Sequence, residues 1–322
     1  MTADGEAGAD ASRGQDRDAD IGDHPRLDRG DPTRGGEPTF EPTGFLLLRV
    51  AVVWLAAFGV AILALKIWAL LAGAPSTPKE LMAWIADHSA TIQGVLVLVV
   101  PQQLAFFAAA WIAARKAPEG PAARLGLLRG RASAVRPGSI VAIALSLAGT
   151  IGVQWASSLA VDAAFQGPSE QMRAMWKMLS APTGAAALGI GILISVLPGL
   201  CEEVVFRGLL LRGLLRRQSA LVSIAIAGGL FAIAHGELQY AAAVLPLGLW
   251  LGFVAWRTGS IRLSIACHAA NNLSAVVFGR MFGDPVSGDL PSTPWMIAIG
   301  ILLLACAFAA ARALPRAPAP DG

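Results

Sequence analysis

The sequence predicts an all-α, polytopic integral membrane protein with about eight transmembrane helices. Of its 322 residues, 55% are hydrophobic, against roughly 45–50% in soluble domains. Only 15% are charged, where about 25% is typical. The mean hydropathy is +0.59. Because one soluble core of this length cannot hide so much apolar surface, the composition excludes a soluble globular enzyme, a disordered protein and a nucleic-acid binder.

The first 44 residues differ in character from the rest of the chain. They hold 11 Asp/Glu and 5 Arg, with few aliphatic side chains. Such a segment cannot bury enough apolar surface to offset its chain entropy, so residues 1–44 are predicted to be a disordered acidic tail. The acidic start is also unlike a secretory signal peptide, which begins with basic residues.

From Phe45 onward the chain contains eight apolar segments, each near the length of about 20 residues that a membrane span needs. They cover roughly 45–72, 90–114, 138–162, 183–211, 219–236, 239–256, 261–279 and 294–312. Two shorter segments, 122–136 and 168–180, are predicted to form interfacial helices.

The basic residues between these segments indicate the orientation in the membrane. With eight spans and a cytoplasmic N-terminus, the inner loops and C-tail carry 13 Lys/Arg and the outer loops carry 4. This asymmetry fits the positive-inside rule. Both termini are therefore predicted to be cytoplasmic.

Two adjacent carboxylates, Glu202 and Glu203, follow an apolar run inside the fourth span. An ionisable group at mid-bilayer costs at least about 2.5–3.5 kcal/mol, so the pair needs partners or a wet cavity. Arg207 lies four residues after Glu203, on the same helix face, and can neutralise it. Glu202 is rotated about 100° away. A charged inner end of a span is the alternative, but the carboxylates precede the flanking Arg212 by about ten residues, roughly 15 Å.

Three further polar residues are predicted to reach the same depth. Glu202 and His235 are almost equally far from the turn at 218–219, so an antiparallel hairpin places them level with each other. His268 lies about 9 Å into the seventh span, and Asn272 follows it on the same face. We therefore expect Glu202, His235, His268 and Asn272 to converge on one inward-facing polar cavity.

This residue set suits hydrolysis. A carboxylate or imidazole can take a proton from water, and a second imidazole with an amide can donate to an oxyanion. Zinc chemistry is the rival, with Glu202, His235 and His268 as the ligands if a metal is present. No HExxH motif occurs, and Cys201 and Cys267 are interpreted as packing residues. No organic cofactor is indicated.

At these residues the sequence resembles the CPBP family of intramembrane proteases, which includes CAAX prenyl endopeptidases and bacteriocin-processing proteins. Its EExxxR motif is matched by Glu202, Glu203 and Arg207, its FxxxH motif by Phe231 and His235, and its HxxxN motif by His268 and Asn272.

The resemblance implies a CAAX-protease-like bundle and a role for each residue. Glu202 would activate water with help from His235, Glu203 and Arg207 would orient the pocket, and His268 and Asn272 would stabilise the oxyanion. The family is usually named as metalloproteases, while its prenyl-directed members are also described as glutamate-dependent, so the need for a metal stays open.

The resulting hypothesis is an intramembrane endopeptidase that cleaves a membrane-associated protein or peptide at a site open to the cytoplasm. The Ala/Arg/Gly-rich composition suggests a bacterial inner membrane. Residues 45–180 would form the first three spans with interfacial helices, 181–280 the catalytic spans, and 281–322 the last span and tail. The alternatives are a non-catalytic immunity or scaffold protein and a proton-coupled transporter, because intramembrane Glu and His also serve as proton relays.

Overall fold

The computed structural model describes residues 43–88, 91–128, 137–180, 184–282 and 293–314, and within these ranges the chain forms helices and no strands. Of the tail predicted over residues 1–44, residues 1–42 lie outside these ranges, and residues 43 and 44 are the first two of α1 instead of tail. The helices are α1 (Thr43–Leu71), α2 (Pro78–His88), α3 (Ile92–Ala114), α4 (Pro121–Arg124), α5 (Pro137–Phe165), α6 (Glu170–Ser180), α7 (Gly184–Glu203), a π-helix (Val204–Leu211), α8 (Arg212–Leu214), α9 (Ala220–Ile233), α10 (Leu238–Thr258), α11 (Arg262–Phe282) and α12 (Thr293–Ala313).

Each of the eight predicted spans corresponds to a helix or a continuous helical rod. Among the described residues, six helices are long and apolar enough to cross a membrane. The fifth predicted span is the shorter apolar helix α9, of 14 residues. The seventh is α11, which has 21 residues but is less apolar. Polar side chains such as His268 and Asn271 lower its hydropathy, and both are buried against neighbouring helices. The prediction of an all-α membrane bundle is confirmed.

The centre of the bundle is formed by the rod from α7 to α8 and by α10. In each of these two elements, half of the residues in the most apolar stretch are buried. The corresponding share is 22–28% in α1, α3, α5 and α12. The outer helices therefore expose long apolar faces, as lipid-facing helices do. α7 packs on α11 and α3, and α10 packs on α9 and α5. These contacts bring the motif-bearing helices together.

Glycines allow α9 and α10 to approach closely. A Cβ atom added at Gly248 would lie 2.9 Å from the carbonyl oxygen of Gly228, and one at Gly252 would lie 3.3 Å from the side chain of Ile224. Small residues at membrane helix interfaces permit this kind of backbone contact. The close approach places the backbone of α10 within reach of side chains from the central rod.

Of the two predicted interfacial helices, one is present in the structure and the other is mostly not helical in its described part. The segment 168–180 forms α6, which packs against α11. In the segment 122–136 only the short α4 is helical, residues 125–128 form a turn and a bend, and 129–136 lie outside the described residues. Helix α2 is an addition that sequence reasoning missed.

The loop after α3 packs across one end of the bundle, which we call the basic end because Arg212, Arg257 and Arg262 lie there. The side chain of Leu125 is fully buried, and its carbonyl oxygen lies against Gly208 in the π-helix. The Arg212 guanidinium donates to the carbonyl oxygens of Arg124 at 3.1 Å and Gly259 at 3.0 Å. The Ser260 hydroxyl donates to the carbonyl oxygen of Gly126 at 3.0 Å. Residues 121–128 thus lie across the ends of the π-helix and the α10–α11 turn.

Candidate active site

A buried ion pair forms the base of the site. Nη1 of Arg207 lies 2.7 Å from Oε1 of Glu203, and neither side chain is exposed. Nη2 of Arg207 donates to the carbonyl oxygen of Gly248 at 2.7 Å, and the guanidinium lies 4.5 Å from the ring centre of Phe231. The predicted pairing of Glu203 with Arg207 is confirmed, and Arg207 also ties the central rod to α9 and α10.

The backbone that carries Arg207 is a π-helix, which sequence reasoning missed. The amide of Arg212 donates to the carbonyl oxygen of Arg207, five residues earlier. π-helical turns are rare and occur frequently at functional sites. All eight residues from Val204 to Leu211 are buried, so packing on every side holds this conformation. The apolar sequence of the segment contains no signal that would have revealed it.

His268 joins α11 to both glutamates. Its Nδ1 atom lies 3.1 Å from Oε1 of Glu203, and its Nε2 atom lies 3.9 Å from Oε2 of Glu202. The ion-paired carboxylate of Glu203 can only accept, so the geometry assigns the donating proton to Nδ1. The ring of Phe231 meets that of His268 edge-on at 5.6 Å. These contacts fix the imidazole with Nε2 directed at Glu202.

Glu202 is the more exposed of the two carboxylates. Its side chain is 16% exposed, whereas that of Glu203 is completely buried. Its Oε1 atom accepts a hydrogen bond of 2.9 Å from Nε2 of Gln103 on α3. Sequence reasoning missed Gln103. The available signal was an amide side chain near the middle of an apolar span, at the depth of the paired glutamates.

His235 reaches the cluster through Phe231. It follows the end of α9, and its Nδ1 atom donates to the carbonyl oxygen of Phe231 at 2.9 Å. Its ring contacts Phe231 and Tyr240 at 5.0 Å each. Its own carbonyl oxygen accepts from Nε2 of Gln171 on α6 at 3.2 Å. The Nδ1 contact leaves Nε2 of a neutral His235 as an acceptor.

Asn272 lies one helical turn after His268 on α11. Its Oδ1 atom accepts from Nδ2 of Asn271 at 3.4 Å, and its side chain is half-buried. The structure thus brings Glu202, Glu203, Arg207 and His268 into direct contact and connects His235 through Phe231. It leaves Asn272 beside this group rather than bonded to it.

The residues do not fit a three-ligand metal site in this arrangement. Among the described residues, no three His, Cys, Asp or Glu side chains are grouped so that they could hold a metal ion. Two of the three candidate zinc ligands, Glu202 and His268, approach each other through Nε2 of His268, while Nδ1 is held by Glu203. We therefore assign no step of the reaction to a metal ion.

Comparison with known proteins identifies the segment that contains this cluster. Residues 184–274 match the family model described as type II CAAX prenyl endopeptidase Rce1-like. We call this segment the Rce1-like domain, after the family model that it matches. The match confirms the CPBP resemblance inferred from the three motifs. No curated protein and no solved structure matches the chain.

The Rce1-like domain begins and ends with the helices that form the site. It covers α7, the π-helix, α8, α9, α10 and the first 13 residues of α11. All seven residues matched to the three motifs lie within it. Gln103 and Gln171 lie outside it, on helices that precede the domain in the chain, so the surroundings of Glu202 and His235 include residues that the family match does not cover.

Proposed function

We propose that the protein is an intramembrane endopeptidase that hydrolyses a membrane-associated protein or peptide, with Glu202 as the base that activates water. The observation that supports this most is the state of Glu202 within a domain of a protease family. Its carboxylate is partly exposed, is held by one amide and faces one imidazole nitrogen. A carboxylate so placed can take a proton from a water molecule.

In the proposed reaction Glu202 removes a proton from water while the water oxygen attacks the carbonyl carbon of the scissile amide. The carbonyl oxygen becomes an oxyanion. The carbon–nitrogen bond then breaks, and the leaving nitrogen takes the proton from Glu202. The carboxylate is restored, and the products are an acid and an amine. His235, whose Nε2 is an acceptor when the ring is neutral, assists in orienting the water.

We assign the role of oxyanion donor to His268. With Nδ1 held by Glu203, Nε2 is the nitrogen that faces Glu202, and it can donate to the oxyanion when it carries a proton. Preorganised donors directed at the developing charge are usually the largest contribution to catalysis. Asn272 supplies a second donor if its amide turns from Asn271 towards the substrate.

For the substrate, we propose a membrane-anchored protein or a peptide such as a bacteriocin leader. The catalytic group lies between apolar spans, so a substrate anchored in the bilayer arrives at the correct depth. A prenylated CAAX protein is the substrate that the family description names. Prenylated and unprenylated versions of one anchored peptide test whether this chain requires the lipid.

We further propose an inner-membrane orientation with both termini in the cytoplasm and entry from the cytoplasmic side. The basic loops support the orientation. Residues 121–128 lie at this end, across the π-helix and the α10–α11 turn. A C-terminal fusion to a reporter active only in the cytoplasm tests the orientation, and activity of the matching periplasmic reporter would contradict it.

The deciding experiment compares purified wild type with Glu202→Gln in proteoliposomes. A set of anchored peptides is incubated with each protein, and the products are analysed by mass spectrometry. We expect wild type to cleave at a defined bond and Glu202→Gln to lose about 10²–10⁴-fold in kcat. Normal turnover by Glu202→Gln would remove Glu202 as the base.

Glu119→Gln is the matched control. Glu119 lies in the loop after α3, half-exposed, and pairs with Arg216 at 3.0 Å. Hydrogen bonding to its own backbone, together with Arg216, holds the pKa of this carboxyl below its usual range. The control thus removes one ionised carboxylate far along the chain from the site and should retain full activity.

Wild type and site variants also distinguish the endopeptidase from a transporter, a non-catalytic protein and a metal-dependent enzyme. Solute flux that follows a pH gradient would favour a transporter, and a cellular phenotype that survives Glu202→Gln and His235→Ala would favour a non-catalytic role. Hydrolysis measured with and without a chelator, together with elemental analysis, decides on a metal. Loss of activity that only Zn²⁺ restores would replace the glutamate-led mechanism.

A further inference from the structure

Gln103 contributes a polar side chain to the site from outside the Rce1-like domain. It lies on α3, and only 5% of its surface is exposed. Its Nε2 atom donates to Oε1 of Glu202 at 2.9 Å. Its Oε1 atom is buried and has no hydrogen-bond partner among the described residues. An amide in this state has one strong interaction, and that interaction is with the proposed base.

The hydrogen bond distinguishes the two oxygens of Glu202. With Oε1 held by Gln103, the remaining oxygen Oε2 is the one that faces Nε2 of His268 at 3.9 Å. Hydrogen bonds to ionised acceptors are roughly twice as strong as neutral ones. Because a carboxylate can otherwise rotate about the Cγ–Cδ bond, Gln103 selects which oxygen is presented to the water.

A polar side chain in a membrane span also forms hydrogen bonds for a purely structural reason, because an unpaired polar group is unfavourable in the bilayer. Gln103 differs from that case in two respects. Its partner is the partly exposed carboxylate rather than a backbone carbonyl or an inert side chain. Its carbonyl oxygen is left unpartnered, although a purely structural amide gains by satisfying both of its polar groups.

We propose that Gln103 is a positioning residue for the hydrolysis: it fixes the rotation of the Glu202 carboxylate and directs Oε2 toward the attacking water. This proposal rests on the proposed function. It assigns part of the catalytic arrangement to α3, outside the three motifs.

The test uses Gln103→Met, which keeps an unbranched side chain of similar length and removes the donor. The matched control is Gln102→Met, which makes the same change at the preceding, half-buried position of α3. We expect Gln103→Met to lower kcat by roughly 10- to 100-fold, part of the about 10²–10⁴-fold that a general base contributes. KM should stay within about twofold, since the loss concerns the transition state. Gln102→Met should retain the wild-type kcat.

A second variant distinguishes positioning from packing. In Gln103→Glu the new acid donates a hydrogen bond to Glu202 only while it is protonated. Its kcat relative to wild type should therefore rise as the pH falls, whereas a structural defect would give a constant ratio. A ratio that does not change with pH, or a Gln103→Met protein with wild-type kcat, would overturn the proposal.

An infrared measurement makes the result independent of cleavage. The carboxylate bands of Glu202 are those lost in Glu202→Gln, and a change of hydrogen bonding shifts them. We expect a shift in Gln103→Met and none in Gln102→Met. If wild type cleaves no peptide, the proposed function fails while the infrared shift still shows whether Gln103 holds Glu202. Unshifted bands in Gln103→Met would refute the positioning role even if hydrolysis is established.

Discussion

One carboxylate oxygen of Glu203 accepts hydrogen bonds from both Arg207 and His268. Oε1 lies 2.7 Å from Nη1 of Arg207 and 3.1 Å from Nδ1 of His268. Because Arg207 is on the π-helix and His268 is on α11, this atom links two elements of the bundle. The second glutamate of the EExxxR motif is therefore a structural centre, while the first remains partly exposed.

Arg207→Met tests the energetic role of this pair. The change leaves the Glu203 charge buried without its partner, which typically costs about 3–5 kcal/mol. We expect a large fall in the thermal unfolding midpoint in detergent, together with loss of activity. The double variant Arg207→Met with Glu203→Gln removes both charges and should recover much of the stability without recovering activity. If the double variant is less stable than Arg207→Met alone, the charge-compensation account is wrong.

Gly149→Ala tests the contact between α5 and α12. A Cβ atom at Gly149 would lie against the backbone of Ala307, so the two helices must separate. Overpacking of this kind typically costs about 1–3 kcal/mol. Gly189→Ala is the control, because a Cβ atom there meets nothing within 4 Å. We expect a lower unfolding midpoint for Gly149→Ala alone, and equal midpoints would mean that the two helices are not in close contact in the membrane.

The double variant Cys201→Ala with Cys267→Ala tests a thiol nucleophile. Both cysteines are buried beside residues of the site, and cysteines buried in apolar surroundings are unreactive packing residues. We expect kcat within about twofold of wild type. Activity reduced to the level of Glu202→Gln would instead assign the nucleophile to one of these cysteines.

Arg212→Ala tests the closure of the basic end. The variant removes the hydrogen bonds from the guanidinium to the carbonyl oxygens of Arg124, Ala123 and Gly259. Bonds from a charged donor are worth about 1.5–3 kcal/mol each. Limited proteolysis should cut residues 117–128 faster than in wild type, and Arg262→Ala, an exposed position, should not change the rate.

The kcat/KM of Arg212→Ala tests whether the substrate reaches the site from the basic end. If substrates enter at this end, a loosened loop leaves kcat/KM equal to the wild-type value or higher. A loss of kcat/KM with intact folding would place entry elsewhere and assign these residues to holding the π-helix.

The sequence alone determined the membrane class, the positions of eight helices and the residues of three motifs. These features depend on local properties that can be read along the chain, namely apolar length, loop charge and the spacing of rare polar residues within spans. The pairing of Glu203 with Arg207 was predictable for the same reason, since the two residues are one helical turn apart.

Only the tertiary structure decided which groups meet across helices. Gln103 lies 99 positions from Glu202 in the chain, and no local pattern relates them. The π-helical backbone at Arg207, the closure of the basic end by residues 121–128 and the separation of Asn272 from the direct contacts also depend on packing between distant segments. Such contacts are set by how the helices lean and approach one another, which hydrophobic periodicity along one chain does not specify.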